Sequence, residues 1–148
     1  MYFPISGKGI NMDIKELINE AIEARKFSYC PYSGFAVGAA LLSKDGKVFK
    51  GCNIENASFG PTNCAERTAF FKAISEGVME FDAIAVVGAK AGDTIDGFAY
   101  PCGVCRQVME EFCEPKSFKV IVAKSVDEYR EYNLVDLLPC GFGPKDLK

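Results

Sequence analysis

The chain has no histidine and no tryptophan among its 148 residues. Without histidine, no imidazole is at hand as general base or metal ligand, so any metal must be held by sulfur or carboxylate. No apolar run approaches the roughly 20 residues that a membrane-spanning helix needs, so no membrane association is expected. Residues 1–11 lack the basic start and apolar centre of a secretory leader, which makes the cytoplasm the expected location. The net charge is −3 and there is no run of lysine and arginine. A surface dedicated to nucleic-acid backbones is therefore not expected. Internal repeats, low-complexity tracts and inter-domain linkers are also lacking.

What is present is an ordinary globular balance, 49% hydrophobic and 25% charged residues. The length suits one domain with a single core. Helical periodicity begins only after Met12, so residues 1–11 are expected to form a loose extension and residues 12–148 one domain. Seven cysteines, an odd number without an export signal, argue for reduced thiols rather than a disulfide framework.

Asp13 is placed to cap a helix, with Glu16 three residues on, and apolar residues from Ile14 to Ala24 recur at helical spacing. Cys30–Gly34 reads as a loop. Phe35–Ser43 and Lys47–Ile54 read as two strands joined by the Asp45-Gly46 hairpin signal. A loop over 56–62 precedes a helix from Cys64 to Glu76, which Gly77 ends. Phe81–Ala89 is a buried strand, Gly92–Tyr100 a loop, Cys102–Phe112 a helix and Phe118–Ala123 another buried strand. Tyr129–Tyr132 suits an edge strand and Val135–Leu138 a short helical turn. Strands alternating with helices predict an α/β fold with a central mixed sheet and helices on both faces.

Two fragments carry chemistry: Asn63-Cys64-Ala65-Glu66-Arg67 and Pro101-Cys102-Gly103-Val104-Cys105. Taken alone, Cys102 and Cys105 are readable as metal ligands, as a redox dithiol or as two core cysteines, although redox motifs of the thioredoxin kind follow the first strand of a βαβ unit and this pair lies late in the chain. Cys64 favours metal, because all three thiols open helices that each feed a strand of the same sheet. A helix N-terminus favours thiolate over thiol. Three thiolates with no obvious fourth ligand describe an open, catalytic zinc site, although Cys52, Cys113 or Cys140 would close it if close enough. Glu66 would by itself be read as a favourable charge at a helix start. Beside the cysteines it becomes a carboxylate next to the open metal position. Arg67 lies three residues from Cys64, within reach of its sulfur, where it would withdraw charge from the thiolate; a surface ion pair is the alternative.

At these residues the chain resembles the cytidine deaminases, in their small three-cysteine, homotetrameric branch. The resemblance rests on Cys64-Ala65-Glu66 with Pro101-Cys102-Gly103-Val104-Cys105, preceded by Asn53-Ile54-Glu55-Asn56, and runs from about Asp13 to Leu138. It implies a three-layer α/β/α sandwich with a mixed five-stranded sheet, and one Zn2+ per subunit held by Cys64, Cys102 and Cys105. The reaction implied is attack of zinc-activated water on C4 of cytosine in cytidine or 2′-deoxycytidine, with Glu66 carrying protons and ammonia leaving, in pyrimidine salvage. It further implies that Asn53 and Glu55 bind the ribose hydroxyls and that Phe35 packs on the pyrimidine. The Ala65 backbone would meet the pyrimidine's amide edge, and Phe142 would complete a neighbouring subunit's pocket. Ser58–Thr62 and the rather long Ala91–Tyr100 segment would shape the pocket mouth. Other expectations compete with cytidine: a same-fold deaminase of another aminopyrimidine nucleoside, such as a blasticidin-type antibiotic, or a non-catalytic zinc or redox module in which Glu66 is dispensable.

Overall fold

The computed structural model describes residues 12–148; the extension expected over 1–11 lies outside them. The chain runs α1 (Ile14–Arg25), β1 (Phe35–Ser43), β2 (Val48–Cys52), α2 (Ala65–Ser75), β3 (Phe81–Lys90), α3 (Gly103–Phe112), β4 (Lys119–Ser125), β5 (Glu128–Asn133) and α4 (Leu134–Leu137). The five strands form one sheet in the order β2-β1-β3-β4-β5. Only β3 and β4 are parallel; the remaining neighbours are antiparallel, so the sheet is mixed.

Side chains alternate across a strand, and here each face meets helix. On one side, Ala40 and Leu42 of β1 and Ala83, Ala85 and Val87 of β3 pack against Ile14, Leu17, Ile18 and Ala21 of α1. On the other, Ala39, Leu41, Ile84 and Val86 meet Ala69, Phe70 and Ala73 of α2 and Met109 of α3. Both faces are covered, which is why β1 and β3 read as nearly unbroken apolar runs. This is the three-layer α/β/α sandwich expected.

The connections bring the two chemical fragments together. A crossover between parallel neighbours must return the chain to the starting end of the sheet, so α3 runs back from the end of β3 to the start of β4. Helix α2 lies on the same face and feeds β3, so its N-terminus sits at the same end as that of α3. Gly51 lets α2 lie close on β2: a Cβ there would stand 2.4 Å from the Ala65 carbonyl oxygen and 2.5 Å from the Ala69 nitrogen.

Several boundaries differ from the sequence expectation. Strand β2 ends at Cys52, not Ile54, because the chain changes partners there. Asn53 N–H still reaches the Val37 carbonyl at 3.3 Å, but Ile54 pairs with Tyr29 and Asn63 through isolated bridges. Strand β4 starts one residue late and runs to Ser125, β5 spans Glu128–Asn133, and the short helix begins at Leu134. A 3-10 turn over Pro144–Leu147 was not anticipated. No helix among the described residues is long and apolar enough to cross a membrane.

Candidate active site and metal centre

Cys64 and Cys102 are the N-cap residues of α2 and α3, both in extended backbone conformation, and Cys105 lies on the first turn of α3. Their three sulfurs all lie within 4.8 Å of one another, with Cys64 and Cys102 Sγ 3.8 Å apart. Sulfurs set tetrahedrally about a zinc at the usual distance of about 2.3 Å stand about 3.8 Å from each other, so the donor set fits that ion. The cluster holds no fourth ligand among the described residues; Cys52, Cys113 and Cys140 stay outside it. All seven cysteines are free thiols.

Glu66 is 4% exposed, and its Oε2 accepts a hydrogen bond from Cys105 Sγ at 3.3 Å. Burial pushes its carboxyl above the usual carboxylate range. Arg67 Nη2 donates to Cys64 Sγ at 3.3 Å, the same-face reach its spacing predicts. The Cys64 thiol is pulled down to about 5, first by its hydrogen bond with Cys105 and then by Arg67. Cys105 is pushed up, because it keeps the proton in that pair and is buried beside Glu66. Without a metal the pair thus keeps one proton, on Cys105, which zinc would displace on binding.

A cavity of about 280 Å³ opens over this cluster. Its wall brings together Phe35, Asn53, Glu55, Cys64, Ala65, Glu66 and Cys102, most of the residues the sequence singled out. Ala65 opens α2, where its backbone N–H has no partner within the helix. Phe35 is 43% exposed and faces the cavity rather than the core. A second hollow, of about 330 Å³, shares Glu55 and Thr62 with the first and carries Tyr32 and Phe59 on its rim.

Asn53 and Glu55 reach the cavity from beyond the end of β2, and both also hold its wall. Asn53 Nδ2 donates to the Phe35 carbonyl at 2.8 Å, and its Oδ1 accepts from Val37 N–H at 2.9 Å and from the Ser28 hydroxyl. Glu55 Oε1 accepts from the Tyr32 and Ser33 N–H groups, each at 3.0 Å, and Oε2 from the Ser33 hydroxyl. The Ser33 hydroxyl holds the Glu55 carboxyl below the usual range.

Phe142 is not on the cavity of its own chain. It is 59% exposed, and its carbonyl accepts from Gln107 Nε2 on α3 at 2.8 Å. Ala99 and Tyr100, the end of the Ala91–Tyr100 segment expected at the pocket mouth, wall the cavity. Their signal was position: they end the long loop directly before Pro101 and Cys102.

Residues 12–123 match the family profile described as "Cytidine and deoxycytidylate deaminase zinc-binding region". The chain is 50% identical over 136 residues to the cytidine deaminase of Sporosarcina psychrophila, covering 92% of this chain and 96% of the relative. It is 53% identical to that of Halalkalibacterium halodurans, covering 92% and 98%. Among solved structures, the cytidine deaminase of Burkholderia pseudomallei superposes with a TM-score of 0.79 at 49% identity, over 88% of this chain and all of the other. That of Mycobacterium tuberculosis gives 0.73 at 39%, over 89% and 98%. With a thiol cluster of the right size inside a zinc-binding domain, the cofactor is zinc, one per subunit. The chain belongs to the cytidine and deoxycytidylate deaminase family.

Proposed function

We propose that this chain hydrolyses cytidine and 2′-deoxycytidine to uridine and 2′-deoxyuridine, releasing ammonia, as pyrimidine salvage requires. One observation carries the reading: a buried Glu66 stands against a three-thiol cluster at the floor of a nucleoside-sized cavity.

Cys64, Cys102 and Cys105 hold the zinc, and Arg67 drains charge from the Cys64 thiolate. Zinc, when bound, supplies the Lewis acid that makes water nucleophilic near neutral pH. Glu66 does the proton work. Its Oε2 takes a proton from the attacking water and delivers it to N3 of the cytosine ring as the new C4–O bond forms. It then carries the remaining hydroxyl proton to the 4-amino nitrogen, the C4–N bond breaks, and ammonia leaves a C4 carbonyl. A carboxyl whose affinity for protons is raised by burial suits a group that must both accept and return one.

Phe35 offers an aromatic face to the pyrimidine, and the N–H of Ala65 meets its amide edge. Asn53 and Glu55 bind the ribose hydroxyls; the ionised Glu55 is a ready acceptor. Residues 12–148 act as one domain, and the assembly is a homotetramer in which Phe142 closes a neighbour's pocket. Supporting this, Phe27 and Phe59 are each 80% exposed and Phe142 59%, apolar surface that a second copy would cover. Seven cysteines without a disulfide among them suit the reducing cytoplasm. Partners are small nucleosides, not nucleic acid and not membrane.

The test is a substrate panel: cytidine, deoxycytidine and other aminopyrimidine nucleosides, resolved by chromatography after incubation with zinc-loaded protein. Conversion of cytidine to uridine with stoichiometric ammonia is expected. Turnover of another aminopyrimidine alone would keep the site and reject the substrate.

A further inference from the structure

The segment from Gly92 to Pro101 serves the cavity twice. Ala99 and Tyr100 form part of its wall, and the segment leads directly into Cys102. Its start is fixed: Arg25 Nη2 donates to the Asp93 carbonyl at 3.2 Å, and Ala91 N–H donates to the Gly34 carbonyl at 2.7 Å. Beyond that, among the described residues, no backbone hydrogen bond holds residues 94–100. A segment of this kind keeps its shape only if side chains anchor it.

Ile95 packs against the core on the α1 side, and the anchors of the end that walls the cavity come from the far edge of the sheet. Arg130 Nη1 donates to the Tyr100 hydroxyl at 2.8 Å, and the Tyr132 hydroxyl stands 3.0 Å from the same oxygen. The Tyr100 and Tyr132 rings meet edge to face, with centroids 5.9 Å apart. The Arg130 guanidinium also lies over the Phe98 ring, 4.1 Å from its centroid, and Lys124 Nζ stands 5.0 Å from that centroid. Arg130 and Tyr132 alternate on β5 and so share a face, and the ladder to β4 fixes them opposite Val122 and Val120. Neither residue lines the cavity. A charge-assisted hydrogen bond and a cation–π contact from one guanidinium thus converge on two residues at the end of the segment that walls the cavity.

We propose that Arg130 and Tyr132 are positioning residues for the reaction: through Phe98 and Tyr100 they set the cavity wall ahead of Cys102, and thereby the fit of the substrate, without touching it. The inference rests on the nucleoside-deaminase reading above. It assigns the edge strand a part in substrate fit, which the cavity lining alone does not reveal.

The experiment compares wild type with Arg130→Ala, Arg130→Lys and Tyr132→Phe as zinc-loaded, full-length proteins. Three quantities are read: kcat and KM for cytidine, bound zinc, and amide hydrogen exchange over residues 94–101. For Arg130→Ala, exchange in that segment quickens and KM rises roughly fivefold, the equivalent of one net hydrogen bond. Zinc stays stoichiometric and kcat stays within about twofold, the pattern of lost binding rather than lost chemistry. Arg130→Lys, which keeps the charge but not the forked donor, falls between the two. Tyr132→Phe shifts both readouts in the same direction by less, and it carries the test if Arg130→Ala does not fold. Unchanged exchange in these variants overturns the anchor. Faster exchange with an unchanged KM overturns its link to substrate fit, and joint loss of zinc and kcat reduces it to a general structural role. Should wild type fail to turn over cytidine, the functional reading falls, while the exchange measurement still decides the anchor.

Discussion

Arg67 donates to Cys64 Sγ at 3.3 Å from one turn further along α2, so a cation and a clustered sulfur are locked together by helix geometry alone. The pairing gives the metal-free protein a specific pH signature. Because Cys64 is held at about 5, it is a thiol below that pH and a thiolate above it. Alkylation of Cys64 in zinc-stripped, folded protein should rise through pH 5 and level off before neutrality, whereas an ordinary thiol rises near pH 8.5 or so. Arg67→Ala should move the midpoint upward and lower turnover of the zinc-loaded enzyme. A wild-type midpoint near that of a free thiol would contradict the assignment.

The close approach of α2 to β2 makes Gly51 a structural determinant of the site. An added methyl would collide with backbone at Ala65 and Ala69, which no rotamer change relieves. Gly51→Ala should therefore cost about 1–3 kcal/mol in stability by overpacking. It should also weaken zinc binding, since the displaced helix start carries Cys64. Gly60→Ala, where a methyl meets nothing within 4 Å, is the control and should change stability by less than about 0.5 kcal/mol. Thermal denaturation and competitive zinc chelation of the two variants check this.

Asn53 and Glu55 should separate under mutation. Asn53 is 9% exposed and pairs with the backbone at Phe35 and Val37. Asn53→Ala would take the partners from the half-buried Val37 N–H and Phe35 carbonyl, costing about 1–2 kcal/mol in stability besides raising KM. Glu55 lies nearer the surface, holding the Tyr32–Ser33 turn. Glu55→Ala should raise KM with a smaller loss of stability. Equal stability losses in a chemical denaturation series would contradict this division.

Local patterns made most of the framework readable. Asp45-Gly46 marked the hairpin, Gly77 the end of α2, and unbroken apolar runs the strands buried on both faces. The Cys64 and Cys102–Cys105 fragments were also legible as a site, because a helix start before each of two inner strands confines them to one end of the sheet. What stayed hidden depends on contacts between distant parts of the chain. The end of β2 is set by Tyr29 and Asn63, whose bridges to Ile54 no local pattern announces. The hydrogen bond of Glu66 with Cys105 spans 39 positions, and that of Tyr100 with Arg130 spans 30. Phe142 had an identifiable residue type, but its distance from its own chain's cavity appeared only in three dimensions.

The account centres on Glu66 as the proton carrier at a three-thiolate zinc site. The most direct test measures cytidine turnover and bound zinc for wild type and Glu66→Gln side by side. The account predicts one zinc per subunit in each protein, uridine formation by wild type, and a loss of about 10²- to 10⁴-fold in kcat for the variant. Turnover near the wild-type rate by a zinc-loaded Glu66→Gln protein would contradict it.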